Sequence, residues 1–404
     1  MPEKNETFLS QFLQHTAIYE SPGSFWKWGC YASIAAILRD SCWLPQGERK
    51  LYSNIYVLLL AESSGHRKGP PIDLSETFVV KLNNTKVISG RSSVQAILDE
   101  LARAETDHKT GKVLKPGSAI FYAPEMSAGI VADPDALKIL TDIYDYKTNP
   151  YKSRLRTGPC FNLDRIVFSL FAGSNEAMLK GLFGTAEIQG GFLARTCLIT
   201  PNEFRSPNSL MRLDREERTK SLTKVYDKFV SIGELKGEFK LEEDAIVEYE
   251  KWYEPFKRSY HTKKETSGVI GRMHTTVIKL AMILTANNLR LNVCKCDMEE
   301  AINECLGLLP NYSIFTMGQG PGDLSKVGST VLTELMTKPQ YLQSRKELIR
   351  KYWSAGVTHD ILDKLIINFE TAGMIRQIQS KEGLFIQLTD SCLETLGVKE
   401  KKAE

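Results

Sequence analysis

No stretch of this 404-residue chain approaches the roughly 18 uninterrupted apolar residues of a membrane span, so none is expected. The opening MPEKNETFLSQF lacks the basic segment and long apolar run of a secretory signal. That predicts a cytoplasmic protein. Internal repeats and low-complexity tracts are missing too, which argues against solenoid and fibrous architectures. Net charge is only +3, so nucleic acid is neither demanded nor excluded, because a local basic patch would suffice. The eight cysteines lack metal-ligand spacing. Cys294 and Cys296 form a CxC without a partner pair or nearby histidine, so zinc is not expected. The others (Cys30, Cys42, Cys160, Cys197, Cys305 and Cys392) are scattered, several in apolar runs where a reduced thiol packs as a small hydrophobe. What is present is ordinary for a folded protein: 42% hydrophobic and 25% charged residues, over a length that suits two or three domains.

Residues 5–45 read as helical, with Phe8, Phe12 and Leu13 at helical spacing and Ser21-Pro22 as a helix start before an apolar run. From Ile55 the pattern changes. Ile55 to Leu60 is a short continuous apolar run of the kind buried on both faces of a parallel sheet. Strand-like runs follow at Lys86–Ser89, Ala119–Ala123, Ile166–Ala172 and Thr196–Thr200, with a helix between whose Val94, Ile97, Leu98 and Leu101 share one face. Alternation of this sort predicts an α/β fold with a doubly wound parallel sheet. Beyond about residue 206 strand signals stop, and the clearest helix spans Val277 to Leu289. After the Gly-rich stretch 317–325 come helices at Val327–Met336 and Ser344–Trp353, a turn at Gly356, and a helix capped by Thr358. Gly373 ends it, and runs at Ile375–Ile378 and Leu384–Leu388 flank a turn. Three helices and a hairpin in that order are the layout of a winged helix.

Four segments could carry chemistry. Ala61-Glu62-Ser63-Ser64-Gly65-His66-Arg67-Lys68-Gly69 directly follows the first buried strand. Small residues there, before a helix, would aim N–H groups at a phosphate and supply a lysine for its oxygens. It is a degenerate Walker A pattern: Arg67 stands where glycine is expected and Gly69 where a Mg²⁺-binding hydroxyl belongs. A basic surface loop is the other reading. Ala119 to Glu125 is a buried-type strand ending in a carboxylate, which either positions an attacking water or caps a helix. Pro124 replaces the acid that usually precedes it. Asn175, after Ser169–Ser174, either reaches a γ-phosphate or caps the next helix. Arg195, in Gly190-Gly191-Phe192-Leu193-Ala194-Arg195, is either a surface residue or an arginine finger reaching a neighbouring subunit.

Between these lies the stretch from Tyr144 to Arg156. Lys147, Lys152, Arg154 and Arg156 are interleaved there with Tyr144, Tyr146 and Tyr151. That mixture suits a loop tracking a phosphate backbone and stacking bases, or else a solvated loop. Arg272 opens the helix carrying Val277 to Leu284 and is a further candidate phosphate contact.

In this order the segments resemble the AAA+ and RecA-like P-loop ATPases, with AESSGHRKG as Walker A, AIFYAPE as Walker B, FAGSN as the sensor strand and GGFLAR as the arginine-finger segment. More narrowly, the chain resembles the phage and prophage primase-helicase-type ATPases, and its layout is similar to the minichromosome maintenance helicases. The resemblance implies a helical N-terminal layer (1–50), a P-loop ATPase core (51–205), a helical lid region (206–316) and a winged-helix domain (325–392). It implies ATP and Mg²⁺ as ligands. Ser63, Ser64, Gly65, His66, Arg67, Lys68, Gly69 and Arg272 would bind nucleotide, and Glu125, Asn175 and Arg195 would serve hydrolysis, the last in trans. Lys147, Lys152, Arg154 and Arg156 would meet DNA. No primase metal cluster is evident, so no primase activity is expected.

The function expected is an ATP-dependent helicase or translocase in phage or mobile-element DNA replication, in a bacterial or phage-infected cell. It would be a homo-oligomer, in one form a ring, on single-stranded or forked DNA, with a replication protein as a further partner through the winged helix and no membrane association. The alternatives are a nucleotide-binding but non-hydrolysing initiator or loader, and a winged-helix regulator with a vestigial ATPase fold.

Overall fold

The computed structural model describes residues 7–61, 66–90, 92–106, 113–114, 116–126, 130, 135–145, 150–153, 161–163, 165–175, 179, 191–201, 205, 207–208, 215–262, 268–316, 323–380 and 383–395. The chain divides into two units, 1–306 and 307–404.

The first unit is built on a five-stranded, all-parallel sheet. Its strands are β1 (Tyr56–Leu60), β2 (Lys86–Ser89), β3 (Ser118–Ala123), β4 (Val167–Ser174) and β5 (Thr196–Ile199). Across the sheet they run β5-β1-β4-β3-β2. Every residue of β1, β4 and β5 is buried, as a parallel sheet covered on both faces requires. This is why the strands read as continuous apolar runs rather than alternating ones. The order also decides the neighbours of the site: β4 lies between β1 and β3, pairing Ser174 with Leu60 and Ala172 with Ala123. Loops far apart in sequence thus leave the same edge side by side.

Helices α1 (Phe8–His15), α2 (Gly23–Leu38) and α3 (Gly69–Leu82) belong to this unit, as do α4 (Val94–Ala102), α5 (Ala136–Tyr144), α6 (Arg215–Gly233), α7 (Glu243–Thr262), α8 (Val269–Asn287) and α9 (Lys295–Leu306). Gly29 explains how closely α2 packs: a Cβ there would lie 2.8 Å from Ser75 Oγ on α3 and 3.0 Å from the Phe171 ring on β4. On the other face, the Tyr56 hydroxyl donates to Leu140 O of α5 at 2.9 Å. A cluster of rings joins α1, α3 and α6, with centroids of Phe8 and Phe229 5.0 Å apart and of Phe12 and Phe78 5.8 Å apart. The Phe12–Phe78 pair meets edge-on, a contact worth about 1 kcal/mol beyond its buried area. Among the described residues one helix, α8, is long and apolar enough to cross a membrane, yet 67% of its apolar window is buried inside the protein. Its apolar face is spent on the core.

Two expectations about elements are corrected. The segment 5–45 is not helical throughout, because Cys42–Gln46 forms a strand paired antiparallel with Arg49–Leu51 and parallel with Gly237–Glu238. Nor do strands stop at residue 206: short pairs form at Lys240–Leu241 and Asn292–Val293. Two- and three-residue ladders carry too little periodicity to be read from sequence. Cys294 and Cys296 are joined as a disulfide.

In the second unit, helices Asp323–Met336, Arg345–Tyr352 and His359–Thr371 pack with a three-stranded antiparallel sheet of Leu342–Ser344, Gly383–Leu388 and Ile375–Ser380. Its core holds Val331, Leu335, Leu348, Leu362, Leu365 and Ile386. Buried Glu334 accepts from Lys351 at 2.9 Å and from the Tyr352 hydroxyl at 2.6 Å, so its charge is matched.

Gly117 holds the start of β3 with φ +96°, and a Cβ there would overlap the Arg165 carbonyl oxygen. Gly117→Ala is therefore expected to destabilise the first unit by about 1–3 kcal/mol, measured as a lower midpoint in denaturant unfolding. An unchanged midpoint would show that the turn relaxes freely.

Candidate functional site

The C-terminal edge of the sheet gathers three of the sequence-marked residues. Lys68 closes the loop after β1 and immediately precedes α3. Its ammonium donates to Ala61 O at 2.7 Å and to Ser174 O at 2.8 Å, bridging the ends of β1 and β4. Burial pulls its pKa below the usual lysine range, and the nearby Glu125 carboxylate partly offsets that. Glu125 follows β3 and is exposed. Next to it, the Met126 N–H donates to Gly173 O at 2.8 Å, tying the end of β3 to β4. Gly173 is needed there, since a Cβ would come within 2.5 Å of Pro124 O. Asn175 directly continues β4 past Ser174. A cation, a carboxylate and an amide thus meet on one edge.

The loop itself shows why a degenerate pattern can still close. Arg67 has φ +45°, the left-handed conformation in which glycine is expected, at a cost of about 1 kcal/mol for a side-chain-bearing residue. It is held there by Glu20, whose Oε2 lies 2.8 Å from its guanidinium, and by the Ser21 hydroxyl, which donates to Arg67 O at 2.7 Å. His66 is half-buried beside it, and Gly69 begins α3. Pro70 and Pro71 follow in the first turn. Neither has an N–H, so two donors that a helix normally turns toward an anion are gone. Ser63, Ser64 and Gly65 lie outside the described residues.

The remaining arginines lie elsewhere. Arg195 immediately precedes β5, and Thr196 pairs with Tyr56 at the start of β1. Arg195 is thus at the N-terminal edge of the sheet, some six strand residues or about 20 Å from the level of Ala61. It donates to Asp145 Oδ2 at 2.6 and 3.2 Å and to Gly191 O at 2.7 Å. Arg272 is bound to the same carboxylate, at 3.0 and 2.9 Å. The structure therefore joins Arg195 with Arg272 and brings neither to Lys68.

Beneath this pair is Lys279, a residue with no outward signal in the sequence. Its ammonium donates to Asn54 O and Oδ1, both at 2.9 Å, and lies 3.8 Å from the centre of the Tyr144 ring. Burial drives its pKa down to about 7; Asp145 opposes the shift, and Arg272 and Arg195 reinforce it. Asp145 itself is held below the usual carboxylate range, because hydrogen bonding and charge from Arg195 and Arg272 outweigh its burial.

Tyr144 corrects one expectation. It is only 3% exposed, packs on Tyr56 and carries Lys279 on its face, so it cannot stack on bases. An aromatic-basic alternation in sequence does not reveal that the first ring ends a helix and turns inward. Lys152 is exposed on Tyr151–Ser153, paired antiparallel with Phe161–Leu163. Lys147, Arg154 and Arg156 lie outside the described residues.

For phosphate the donor set fits: a half-buried ammonium and a helix start at the ends of buried strands. For Mg²⁺ it does not, because Gly69 has no hydroxyl and Pro124 no carboxylate. No family model and no curated protein matches this chain.

Between the Lys279 pKa of about 7 and the ordinary lysine value of about 10.4, the unfolded chain binds this proton and the native one does not. Its contribution to stability therefore rises with pH across that window. In Lys279→Met the contribution is absent, so wild type should gain stability relative to the variant between pH 7 and about pH 10. Denaturant midpoints at several pH values test this. A constant difference would mean that the ammonium stays charged.

Proposed function

We propose that this chain binds ATP at the Lys68 edge and acts as a homo-oligomeric, ATP-dependent motor on DNA, of helicase or translocase type. The observation that carries the reading is the Lys68 ammonium between the ends of β1 and β4, with Glu125 and Asn175 leaving the neighbouring strand ends. A sheet ordered β5-β1-β4-β3-β2 is compatible with a P-loop-like core. In such a core phosphoryl transfer is mainly positioning and electrostatics. Lys68 would neutralise the phosphate oxygens, Glu125 would orient the attacking water, and Asn175 would sense the terminal phosphate. Arg195 would serve a neighbouring subunit, since its own nucleotide is out of reach. Phage or mobile-element replication is the setting that the family resemblance suggests.

A second reading, a nucleotide-binding loader or initiator that does not hydrolyse, is favoured by the prolines in α3 and by Gly69 and Pro124. These weaken the anion cradle and remove the usual metal ligands. The second unit supports a winged-helix assignment by its element order, and two of its features favour protein contact over DNA. Trp353 and Ile367 are 70% and 63% exposed, and Asp360 and Asp363 lie on the helix His359–Thr371. A replication protein is the partner that this surface suits.

Turnover of ATP with Mg²⁺ and single-stranded DNA tests the motor reading. Lys68→Ala should abolish nucleotide binding, whereas Glu125→Gln should keep it and lower turnover by more than about 100-fold, because the glutamate matters mainly in the transition state. Wild-type affinity in Lys68→Ala would remove the loop from the site, and binding without any wild-type turnover would select the loader.

The DNA path is tested separately. The triple change Lys152→Ala, Arg154→Ala, Arg156→Ala should weaken single-strand affinity and flatten its salt dependence more than deletion of residues 325–404, by up to about one unit of slope for each phosphate no longer neutralised. A titration at several salt concentrations checks this. The opposite ranking would assign DNA binding to the second unit.

A further inference from the structure

The cluster at the N-terminal edge of the sheet has more structure than a single arginine finger needs. Asp145 caps the C-terminus of α5, and its two oxygens accept from Arg195 and Arg272 together. Those arginines come from the residue before β5 and the first turn of α8, and the Asp145 carboxylate joins them. The Arg195 side chain is 10% exposed, whereas Arg272 is 38% exposed and Asp145 35%. One side of the cluster is sealed and the other open. Lys279 lies behind the sealed side, bonded to Asn54, and burial weakens its hold on a proton. Two guanidiniums thus share one carboxylate, and the open side carries an uncompensated attraction for an anion. That anion is not the nucleotide at Lys68 of the same copy, which is about 20 Å away along β1.

We propose that Asp145 is a positioning residue for hydrolysis at a second copy's nucleotide. It holds Arg195 and Arg272 as a preformed pair and passes them to the terminal phosphate presented by that copy. The inference rests on the ATPase reading above. In the step served, a water oxygen bonds to the γ-phosphorus as the bond to the β–γ bridging oxygen breaks. ADP and inorganic phosphate result, and the water's proton leaves to solvent. Charge grows on the phosphoryl oxygens as this proceeds, and two guanidiniums already aligned stabilise it without reorganising. A phosphate with two or more negative charges outcompetes one carboxylate for them, so Asp145 can hold the pair in the free protein without blocking the exchange. Without the carboxylate's charge, Arg195 and Arg272 repel one another and the pair splays.

The experiment uses full-length protein. Asp145→Asn is expected to bind nucleotide like wild type, because Lys68 lies at the other edge, and to lose turnover on the order of ten- to hundred-fold. Asp145→Glu, which keeps the charge, should recover a large part. The decisive readout is mixing. Lys68→Ala subunits lack a nucleotide site but keep the arginine pair, and Asp145→Asn subunits have the reverse. An equal mixture places the intact pair beside an intact nucleotide site at about one interface in four, and turnover should reappear in proportion.

Wild-type turnover by Asp145→Asn overturns the proposal. So does an Asp145→Asn mixture that stays inactive while a control mixture of Arg195→Ala with Lys68→Ala recovers. Failure of the underlying reading looks different: wild type hydrolyses no ATP, or Lys68→Ala binds it normally, and the proposal falls with it. If Asp145→Asn does not fold, as judged by circular dichroism and melting, Arg272→Gln replaces it in the mixture. Recovery is again required, and its absence overturns the shared presentation of the two arginines.

Discussion

Everything at the candidate site depends on the contact of the Lys68 ammonium with the carbonyls of Ala61 and Ser174. These are chain groups at the point where two parallel strands end and the regular ladder no longer supplies every donor. Ser174 O still accepts the Ala61 N–H, at 3.3 Å, and the lysine takes up its remaining capacity. The ammonium is thereby held where an anion could displace both carbonyls. The geometry exists only because β4 inserts between β1 and β3, bringing residue 174 beside residue 60 and residue 123 beside residue 172. Gly173 and the Met126 N–H then draw the Glu125 segment against β4.

Strain and compensation around the loop follow the same logic. The left-handed Arg67 is tolerated because Glu20 and Ser21, from the segment before α2, hold its side chain and its carbonyl. The segment entering α2 is thus part of the site's support, although it contributes no chemistry of its own. At the other edge, Asn54 does for Lys279 what those residues do for Arg67. It offers two oxygens to a buried ammonium while its own amide donates to Tyr144 O and Phe168 O. A buried cation so well bonded is tolerable even where its charged form is disfavoured.

The two edges divide the labour suggested by the motifs. Groups that would hold a nucleotide lie at the C-terminal edge, where open parallel sheets commonly bind ligands. Arg195 and Arg272 lie at the other. In the ATPase reading proposed above, a chemically complete site would need two copies of the chain, and the oligomer would be part of the catalytic unit.

The sequence by itself determined the five strands and the main helices, because full burial on both sheet faces leaves uninterrupted apolar runs and helical burial leaves a 3.6-residue period. It also marked Lys68, Glu125 and Asn175, each in the segment that follows a buried run. What it could not decide were relations across the chain. The pairing of Arg195 with Arg272 spans residues 145, 195 and 272, the inward turn of Tyr144 depends on where α5 ends, and Lys279 looks like any helical lysine until Asn54 is beside it. Local pattern records which side chains avoid water. Only the tertiary structure, by setting strand order and register, decides which polar groups meet once water is gone.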